Sequence, residues 1–426
     1  MTPVEDHPLR YRLANELHAR PFPSITVPCR AVFLAIKQPA EAVGREQESN
    51  LAHLKALLDR FGTPHPHPGA THFSGQIGRH FLKWEQHTEF VTYTVFTDGS
   101  GTRAFDPAEF EVFPEDWLSE APGQRITSVL LRFEPLPEEN DLRHHLSEWF
   151  VPESLAVSSV LDGDAVVAAD FRIDAAGHSR MAAFIREGTG QRRIGRIAQR
   201  LCEIEIYKTM SMLGFYRART LSDRMGALEG DLTRLMGHMR SEGQAAEKTL
   251  DSLLAISVEL ENILAESSFR FGATSAYEAI VLQRIAVLRE ERFRGRQTFS
   301  EFMMRRYDPA MRTVKSTERR LHQISDRAIR AGDLLRTKVD VARSAQNQAL
   351  LESMDRRADL ALRLQRTVEG LSVVAISYYA VSLASYATYP LTGPLGITKG
   401  ALTAVLTLPV VGIVWWMVRR IRARLH

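Results

Sequence analysis

Cysteine is scarce in this sequence. Only Cys29 and Cys202 occur among the 426 residues, and they lie far apart in the chain. This count excludes a disulfide framework and fits a protein that folds in a reducing compartment. Neither cysteine stands at a spacing typical of a catalytic nucleophile or of a metal ligand.

The first twenty residues lack the apolar run of a signal peptide, because residues 1–20 are mostly polar and charged. The excess of positive charge is small as well, since 54 Lys and Arg against 51 Asp and Glu give a net charge of +3. We therefore expect no nucleic-acid partner and predict that the soluble part of the protein stays in the cytoplasm.

Standard catalytic motifs are also missing. The sequence has no P-loop, no nucleophile elbow, no His-Glu-x-x-His and no paired-cysteine zinc motif. We expect no enzymatic activity on this basis, and the residues by themselves indicate no particular cofactor.

Charge is absent from two long apolar runs near the C-terminus. Residues 371–389 and 401–418 contain no charged side chain. At about 1.5 Å per helical residue, each run spans a hydrocarbon core of about 30 Å. Two such runs side by side predict a transmembrane hairpin rather than a pair of buried core helices, with a basic tail at residues 419–426. The lipid bilayer is thus an expected partner.

Arginine flanks both apolar runs. It precedes the first run and follows the second at Arg356, Arg357, Arg363, Arg366, Arg419, Arg420, Arg422 and Arg424. The loop between the runs, residues 390–400, carries only Lys399. Because basic residues favour the cytoplasmic side, we predict that both chain ends lie there and that the loop lies outside. Tyr389 would then mark the outer interface, and Trp415 and Trp416 the inner one.

Residues 188–370 show few strand signals and contain a single proline, Pro309. Leu, Ile, Met and Val recur every three or four residues among charged ones, which predicts long helices joined at residues 242–244 and near Gly272. Nothing breaks the pattern from Pro309 to Pro390, so the last helix is expected to continue into the first apolar run. Its roughly 81 residues, about 120 Å, need packing partners. The heptad pattern is poor, so we expect bundle packing or a homo-oligomer rather than a regular two-stranded coiled coil.

The first 187 residues differ from the rest, with frequent proline, glycine and aromatic residues. Strand-like runs alternate with helical stretches at residues 40–61 and 141–150. Strands are predicted at residues 30–37, 72–77, 81–96, 126–133, 158–161, 165–173 and 180–186. The sequence thus predicts an α+β or α/β cytoplasmic domain over residues 1–187, a helical arm over 188–370 and the hairpin over 371–418.

Histidine is concentrated between residues 65 and 87, where five of the 14 histidines lie. Imidazole and carboxylate groups bind cations where three or four of them converge. His72, Glu85, His87 and Glu89 are therefore a candidate cation site, and the last three share one face of the strand predicted over residues 81–96. A charged strand face open to solvent is the alternative.

A polar cluster near the N-terminus is a candidate binding surface. Asn15, Glu16, His18 and Arg20 lie on neighbouring strips of a predicted helix. They would form a ligand site or a contact between subunits, and an exposed helix with internal salt bridges is the alternative.

Hydroxyl groups recur along the first apolar run. Tyr378, Ser382, Ser385 and Tyr389 fall on one stripe of a helix. The stripe would either pack against another membrane helix or line a pore in an oligomer, where the hydroxyls would meet a cation.

Three segments resemble a bacterial family of membrane-anchored proteins, known as domain of unknown function 3422. They are residues 15–21 (NELHARP), 69–73 (GATHF) and 83–90 (KWEQHTEF). The resemblance covers essentially the whole chain and implies a location at the bacterial inner (cytoplasmic) membrane. It implies no activity.

The order of the parts is also similar to that of CorA-type magnesium channels, in which a very long helix enters the membrane after an α/β cytoplasmic domain. That family carries Gly-Met-Asn at the end of the first crossing, where this chain has Tyr389-Pro390-Leu391. Two hypotheses follow. The protein is an oligomeric, membrane-anchored scaffold or binding module, or it is an ion-conducting oligomer that lacks the Gly-Met-Asn motif.

Overall fold

The computed structural model describes residues 4–16, 22–38, 46–238, 246–391 and 398–425. The chain divides into two compact units, one of residues 1–243 and 251–331 and one of residues 244–250 and 332–426. Each unit is described by itself. The predicted boundaries at residues 187, 370 and 418 stay predictions.

A nine-stranded mixed sheet forms the centre of the first unit. Its strands are β1 (Cys29–Lys37), β2 (His72–Ile77), β3 (His80–Gln86), β4 (Phe90–Asp98), β5 (Gln124–Pro135), β6 (Ala156–Val160), β7 (Ala165–Ile173), β8 (Ser179–Ile185) and β9 (Glu291–Arg292). Their order across the sheet is β2-β3-β4-β1-β5-β8-β7-β6-β9. Neighbouring strands pair antiparallel except β5 and β8, which run parallel. The prediction of a mixed N-terminal domain is confirmed.

Helices precede, interrupt and follow the strands. They are α1 (Arg10–Glu16), α2 (Glu46–Arg60), α3 (Glu115–Ser119), α4 (Glu139–Trp149), α5 (Gln191–His238), α6 (Ala246–Leu288), α7 (Phe299–Arg306), α8 (Asp308–Thr388) and α9 (Lys399–Leu425). The two helices predicted in the sheet domain correspond to α2 and α4.

Helices cover both faces of the sheet. On one face, Leu54 and Leu57 of α2 and Leu146 of α4 are fully buried in a core with Leu34 and Trp84 of the strands. On the other face, α5 contacts β5 and β8. The side chains of a central strand alternate between these layers, so both faces of β1 are apolar and buried.

The helices α5, α6 and the start of α8 pack together within the first unit. Thr274 of α6 approaches α5 at Gly214, where a side chain would have no room. Ser211 of α5 forms a hydrogen bond with the Tyr307 hydroxyl at 2.8 Å. The start of α8 buries an apolar stripe at helical spacing, formed by Met311, Val314, Leu321, Ile324, Ala328 and Ala331.

The predicted unbroken last helix is confirmed, since α8 begins at Asp308 and ends at Thr388. Two other predictions are wrong. Residues 81–96 form a hairpin of β3 and β4, because the His87 amide donates to the Phe90 carbonyl and closes a turn. Gly272 lies inside α6 rather than between helices, where a single glycine costs only about 1 kcal/mol.

Two glycines of α5 allow a matched test of this packing. In Gly214→Ala the new Cβ would lie 2.9 Å from Thr274 Cβ, so we expect the free energy of unfolding to fall by about 1–3 kcal/mol. Gly226 has no atom within 4 Å of the same position, and Gly226→Ala is expected to raise stability by up to about 1 kcal/mol. Circular dichroism melts of the full chain in detergent measure both, and shifts of the same sign would contradict the close α5–α6 approach.

Candidate functional site

The end of α8 and most of α9 present long uncharged surfaces. Each helix contains an 18-residue window that is long and apolar enough to cross a membrane, and only 6% of each window is buried. More than half of each of these side chains is exposed: Leu371, Val374, Leu383, Leu408 and Ile413. Length and composition thus make both helices compatible with association with a membrane.

Small side chains join these two helices. Ser385 Oγ of α8 donates a hydrogen bond to Thr403 Oγ1 of α9 at 3.3 Å, and the Thr403 hydroxyl donates to the Lys399 carbonyl at 3.0 Å. Ser377 and Val414 are buried. Small hydroxyl residues let apolar helices approach closely and bond across the contact, so α8 and α9 form a packed pair.

The predicted hydroxyl stripe divides between this contact and the surface. Ser385 takes part in the α8–α9 bond and Ser382 is half-buried. Tyr378 and Tyr389 are 70% and 56% exposed. Ser385 therefore packs helices, and a pore-lining role for the stripe stays a prediction.

The predicted interface residues lie at the ends of the pair. The Arg419 and Arg420 guanidinium groups stand 5.1 Å and 4.9 Å from the ring centres of Trp415 and Trp416. The four preceding arginines, Arg356, Arg357, Arg363 and Arg366, are exposed on α8. The side chains of Arg422 and Arg424 lie outside the described residues. Stacked arginine and tryptophan side chains suit the boundary between apolar and polar surroundings.

The predicted cation site is occupied by contacts within the protein. Glu85 pairs with Lys83 at 3.0 Å, and the Glu89 carboxylate accepts from Arg270. The His87 ring stacks on Phe90. His72 lies opposite Glu85 in the β2–β3 pair. Within the described ranges, no three His, Cys, Asp or Glu side chains converge as metal ligands would, so the predicted cation site has no support.

The alternative for this face, a charged strand face open to solvent, is wrong. Lys83 is only 6% exposed, because α5 covers it. It belongs to a helix–sheet polar cluster that also contains Glu85, Gln199, Glu203 and Arg284. Lys83 Nζ donates to Gln199 Oε1 at 2.9 Å, and Gln199 donates to Glu203 at 2.8 Å. Glu203 pairs with Arg284 of α6. The space beside the cluster is about 20 Å³, which is room for about one water. The cluster therefore joins the helices to the sheet and leaves no space for a substrate.

A second polar contact joins the β3–β4 turn to α6. The Glu89 side chain is 8% exposed and pairs with Arg270, which is 15% exposed. Tyr277 also donates its hydroxyl to Glu89 Oε1 at 2.8 Å. Burial and the Glu89 charge raise the pKa of the Tyr277 hydroxyl, so Tyr277 remains a donor at neutral pH.

The N-terminal candidate residues are only partly placed. The backbone of Asn15 and Glu16 lies in α1, so the predicted helix is confirmed there. The side chains of Asn15 and Glu16, together with all of His18 and Arg20, lie outside the described residues. Their role as a ligand site or subunit contact stays a prediction.

A cleft of about 430 Å³ that the sequence did not reveal opens beside β1. Its walls include Arg30, Arg79 and Arg103, together with His80 and Glu109. Burial raises the pKa of Glu109 to about 7, although Arg30 acts in the opposite direction. These residues come from four segments and share no spacing, so no sequence pattern could have grouped them.

The sequence was compared with known protein families over its whole length. A family model described as "Protein of unknown function (DUF3422)" matches residues 5–425. The chain belongs to this family. A comparison with curated proteins finds no match. The predicted resemblance is thus confirmed, and the family description assigns no activity.

Two of the segments that carried the resemblance have structural roles. Residues 69–73 lead into β2, and residues 83–90 form most of β3 and its turn. In the second segment Trp84 is buried in the α2-side core, while Lys83 and Glu89 bond to α5 and α6. This segment therefore connects both helical layers through one strand.

The turn contact can be tested against an exposed ion pair. Glu89→Gln leaves the mostly buried Arg270 charge without its partner, and we expect the free energy of unfolding to fall by about 2–4 kcal/mol. Glu266→Gln removes a carboxylate that pairs with Arg217 but is 57% exposed, and a change below about 1 kcal/mol is expected. Thermal unfolding of both variants is the measurement; equal effects would contradict a structural role for Glu89.

Proposed function

We propose that this protein is anchored in the bacterial inner membrane by α8 and α9 and holds its sheet domain at the cytoplasmic face as an oligomeric scaffold or binding module. The observation that carries the proposal is the exposure of an uncharged stretch in each of the two helices. Apolar surface exposed to water costs about 25 cal/mol per Å², and a hydrocarbon core removes this cost. A lipid bilayer is the partner whose chemistry fits both helices.

The charge distribution supports one orientation. After Glu369 the chain contains no acidic residue, and its basic side chains are Lys399 and the four arginines after residue 418. Arg419 and Arg420 stack on tryptophans at the end of α9 that would reach the inner interface. Both chain ends are therefore cytoplasmic in this proposal, and residues 390–400 are outside.

Cysteine labelling tests the crossing and its direction. In spheroplasts, a membrane-impermeant maleimide should label Thr398→Cys, which lies in the outer loop. It should label Ala358→Cys, on exposed α8 before the apolar run, only after lysis. The two native cysteines are buried and should not react with the maleimide. Burial raises the pKa of Cys29 to about 12 and raises that of Cys202 as well, so little reactive thiolate forms.

Each labelling pattern has one meaning. If both variants were labelled only after lysis, the proposed membrane crossing would be contradicted. The reverse pattern, with Ala358→Cys labelled first, would keep the crossing and overturn the orientation.

The exposed middle of α8 supports self-association. Leu350, Met354, Leu364 and Val368 are each more than half exposed. At about 100° per residue they lie within about 80° of one another around the helix. Leu362 is equally apolar but faces another direction. A second copy of the chain offers the same stripe, which suits a symmetric contact.

Light scattering in detergent tests this contact. The wild-type chain should form a homo-oligomer at micromolar concentration, and Leu364→Glu should reduce its mass towards that of a monomer because it places charge in the stripe. Leu362→Glu, about 160° away around the helix, should leave the mass unchanged. A monomeric wild-type protein would contradict the proposal of an oligomeric scaffold.

Ion conduction is the second candidate, favoured by the continuity of α8 into the apolar run. The residues after α8, Tyr389–Leu391, form a 3-10 turn without the Gly-Met-Asn motif, so magnesium selectivity has no support. An oligomer of four or five copies would favour a pore. Cation flux into liposomes that is lost in Ser382→Leu and Ser385→Leu would then establish a pore. If correctly inserted protein gave no flux, the scaffold hypothesis would be favoured instead.

A further inference from the structure

The cleft beside β1 is built from several separate segments of the chain. Arg30 comes from β1, Arg79 from the turn between β2 and β3, and His80 is the first residue of β3. Arg103 comes from the loop that follows β4, and Thr97 from β4 itself. The 3-10 turn Pro107–Val112 contributes Glu109. At about 430 Å³ the cleft has the size of a pocket for a small organic molecule rather than a single ion.

The loop over the cleft is fixed from beneath by a buried arginine. Arg132 is 5% exposed and donates to the Ser100 carbonyl at 2.6 Å and to the Arg103 carbonyl at 3.1 Å. Glu134 accepts from both Arg132, at 2.6 Å, and the Ser100 hydroxyl, at 2.8 Å. These contacts hold the backbone that carries Arg103 in place without a ligand.

Strain in the same loop points to a functional constraint. Phe105 adopts a φ of +52°, which a bulky residue rarely does. Its ring is buried against Trp149 and Phe150, with ring centres 5.7 Å apart in each case. Strained backbone of this kind persists where the surroundings enforce it, often at ligand sites.

Two guanidinium groups in the cleft have no acidic partner. Among the described residues, no carboxylate lies within ion-pair distance of Arg79 or Arg103. Arg79 Nε donates to His80 Nε2 at 3.4 Å, so His80 accepts there and donates from Nδ1 to Thr97 Oγ1 at 2.7 Å. Burial, with the nearby charges of Arg79 and Arg30, lowers the pKa of His80. The neutral ring therefore positions Arg79 and leaves the Thr97 proton available for a ligand.

Three acidic side chains also line the cleft: Asp106, Glu109 and Glu111, of which Glu111 is exposed. Asp106 caps the 3-10 turn by accepting from the Ala108 amide at 3.1 Å. Glu109 is 10% exposed and stands 3.7 Å from Arg30, a loose pair. Its carboxyl has a pKa of about 7 because burial outweighs Arg30 and Arg132, with Asp106 and Glu134 adding to the rise. Protonated Glu109 leaves the Arg30 charge without compensation.

We propose that this cleft binds a small organic oxyanion, a phosphate or a carboxylate, through the guanidinium groups of Arg30, Arg79 and Arg103 and the Thr97 hydroxyl. Forked guanidinium donors match the oxygens of both groups and bind them with charge-assisted hydrogen bonds. The site lies in the sheet domain, and the inference does not depend on membrane insertion or on the oligomeric state.

Calorimetry on the full chain in detergent at low salt tests the site. The probes are glycerol 3-phosphate for the phosphate class and succinate for the carboxylate class. At least one should bind, and Arg79→Gln and Arg103→Gln should each weaken that probe about tenfold or more. Both side chains are exposed, so the unfolding temperature should not change. Arg234→Gln, which removes an exposed arginine from α5, controls for net charge and should bind as wild type does.

The pH dependence is a second readout. Succinate affinity should rise as the pH falls through about 7, because protonated Glu109 no longer competes for Arg30. Glu109→Gln should bind succinate tightly on both sides of that pH. Neither probe binding at millimolar concentration would overturn the proposal. So would binding that is unchanged in Arg79→Gln and Arg103→Gln.

Discussion

Packing of an apolar face supplies most of the stability of a protein helix, and the 81-residue α8 meets this constraint differently along its length. Its first turns bury Met311, Leu321 and Ile324 in the first unit. Its middle exposes apolar side chains, and its last turns contact α9 through Ser385. The proposed membrane anchor and self-association both follow from the apolar side chains that the middle and the end of α8 leave exposed among the described residues.

The contacts that join β3 and its turn to α5 and α6 are polar, although apolar side chains could also pack there. Lys83, Glu89 and Arg270 are mostly buried and paired, and such pairs contribute little net stability once desolvation is counted. Their geometry does restrict how α5 and α6 can lie on β3. The same pairing occupies Glu85 and Glu89, two of the four side chains predicted to bind a cation.

The two proposed interactions use different chemistry. The C-terminal helices offer uncharged surface to a lipid phase, whereas the cleft beside β1 offers guanidinium groups on a loop fixed by Arg132. An anchored protein with a site for a soluble oxyanion fits a binding module at a membrane surface.

Features that depend on local composition could be predicted from the sequence. Pro309 and Pro390 delimit α8, and the bounds of β2 and β7 agree with the predicted strands. The turn at residues 87–89 was missed because it has no Gly, Pro or Asn, and its closure depends on the His87–Phe90 hydrogen bond. The cleft could not be predicted, because Arg30 of β1 and Glu109 of the 3-10 turn are distant in the sequence and meet only in the folded protein. Neighbouring residues in the sequence determine helices and apolar runs, whereas a site formed by distant segments depends on which strands pair and which side chains are buried.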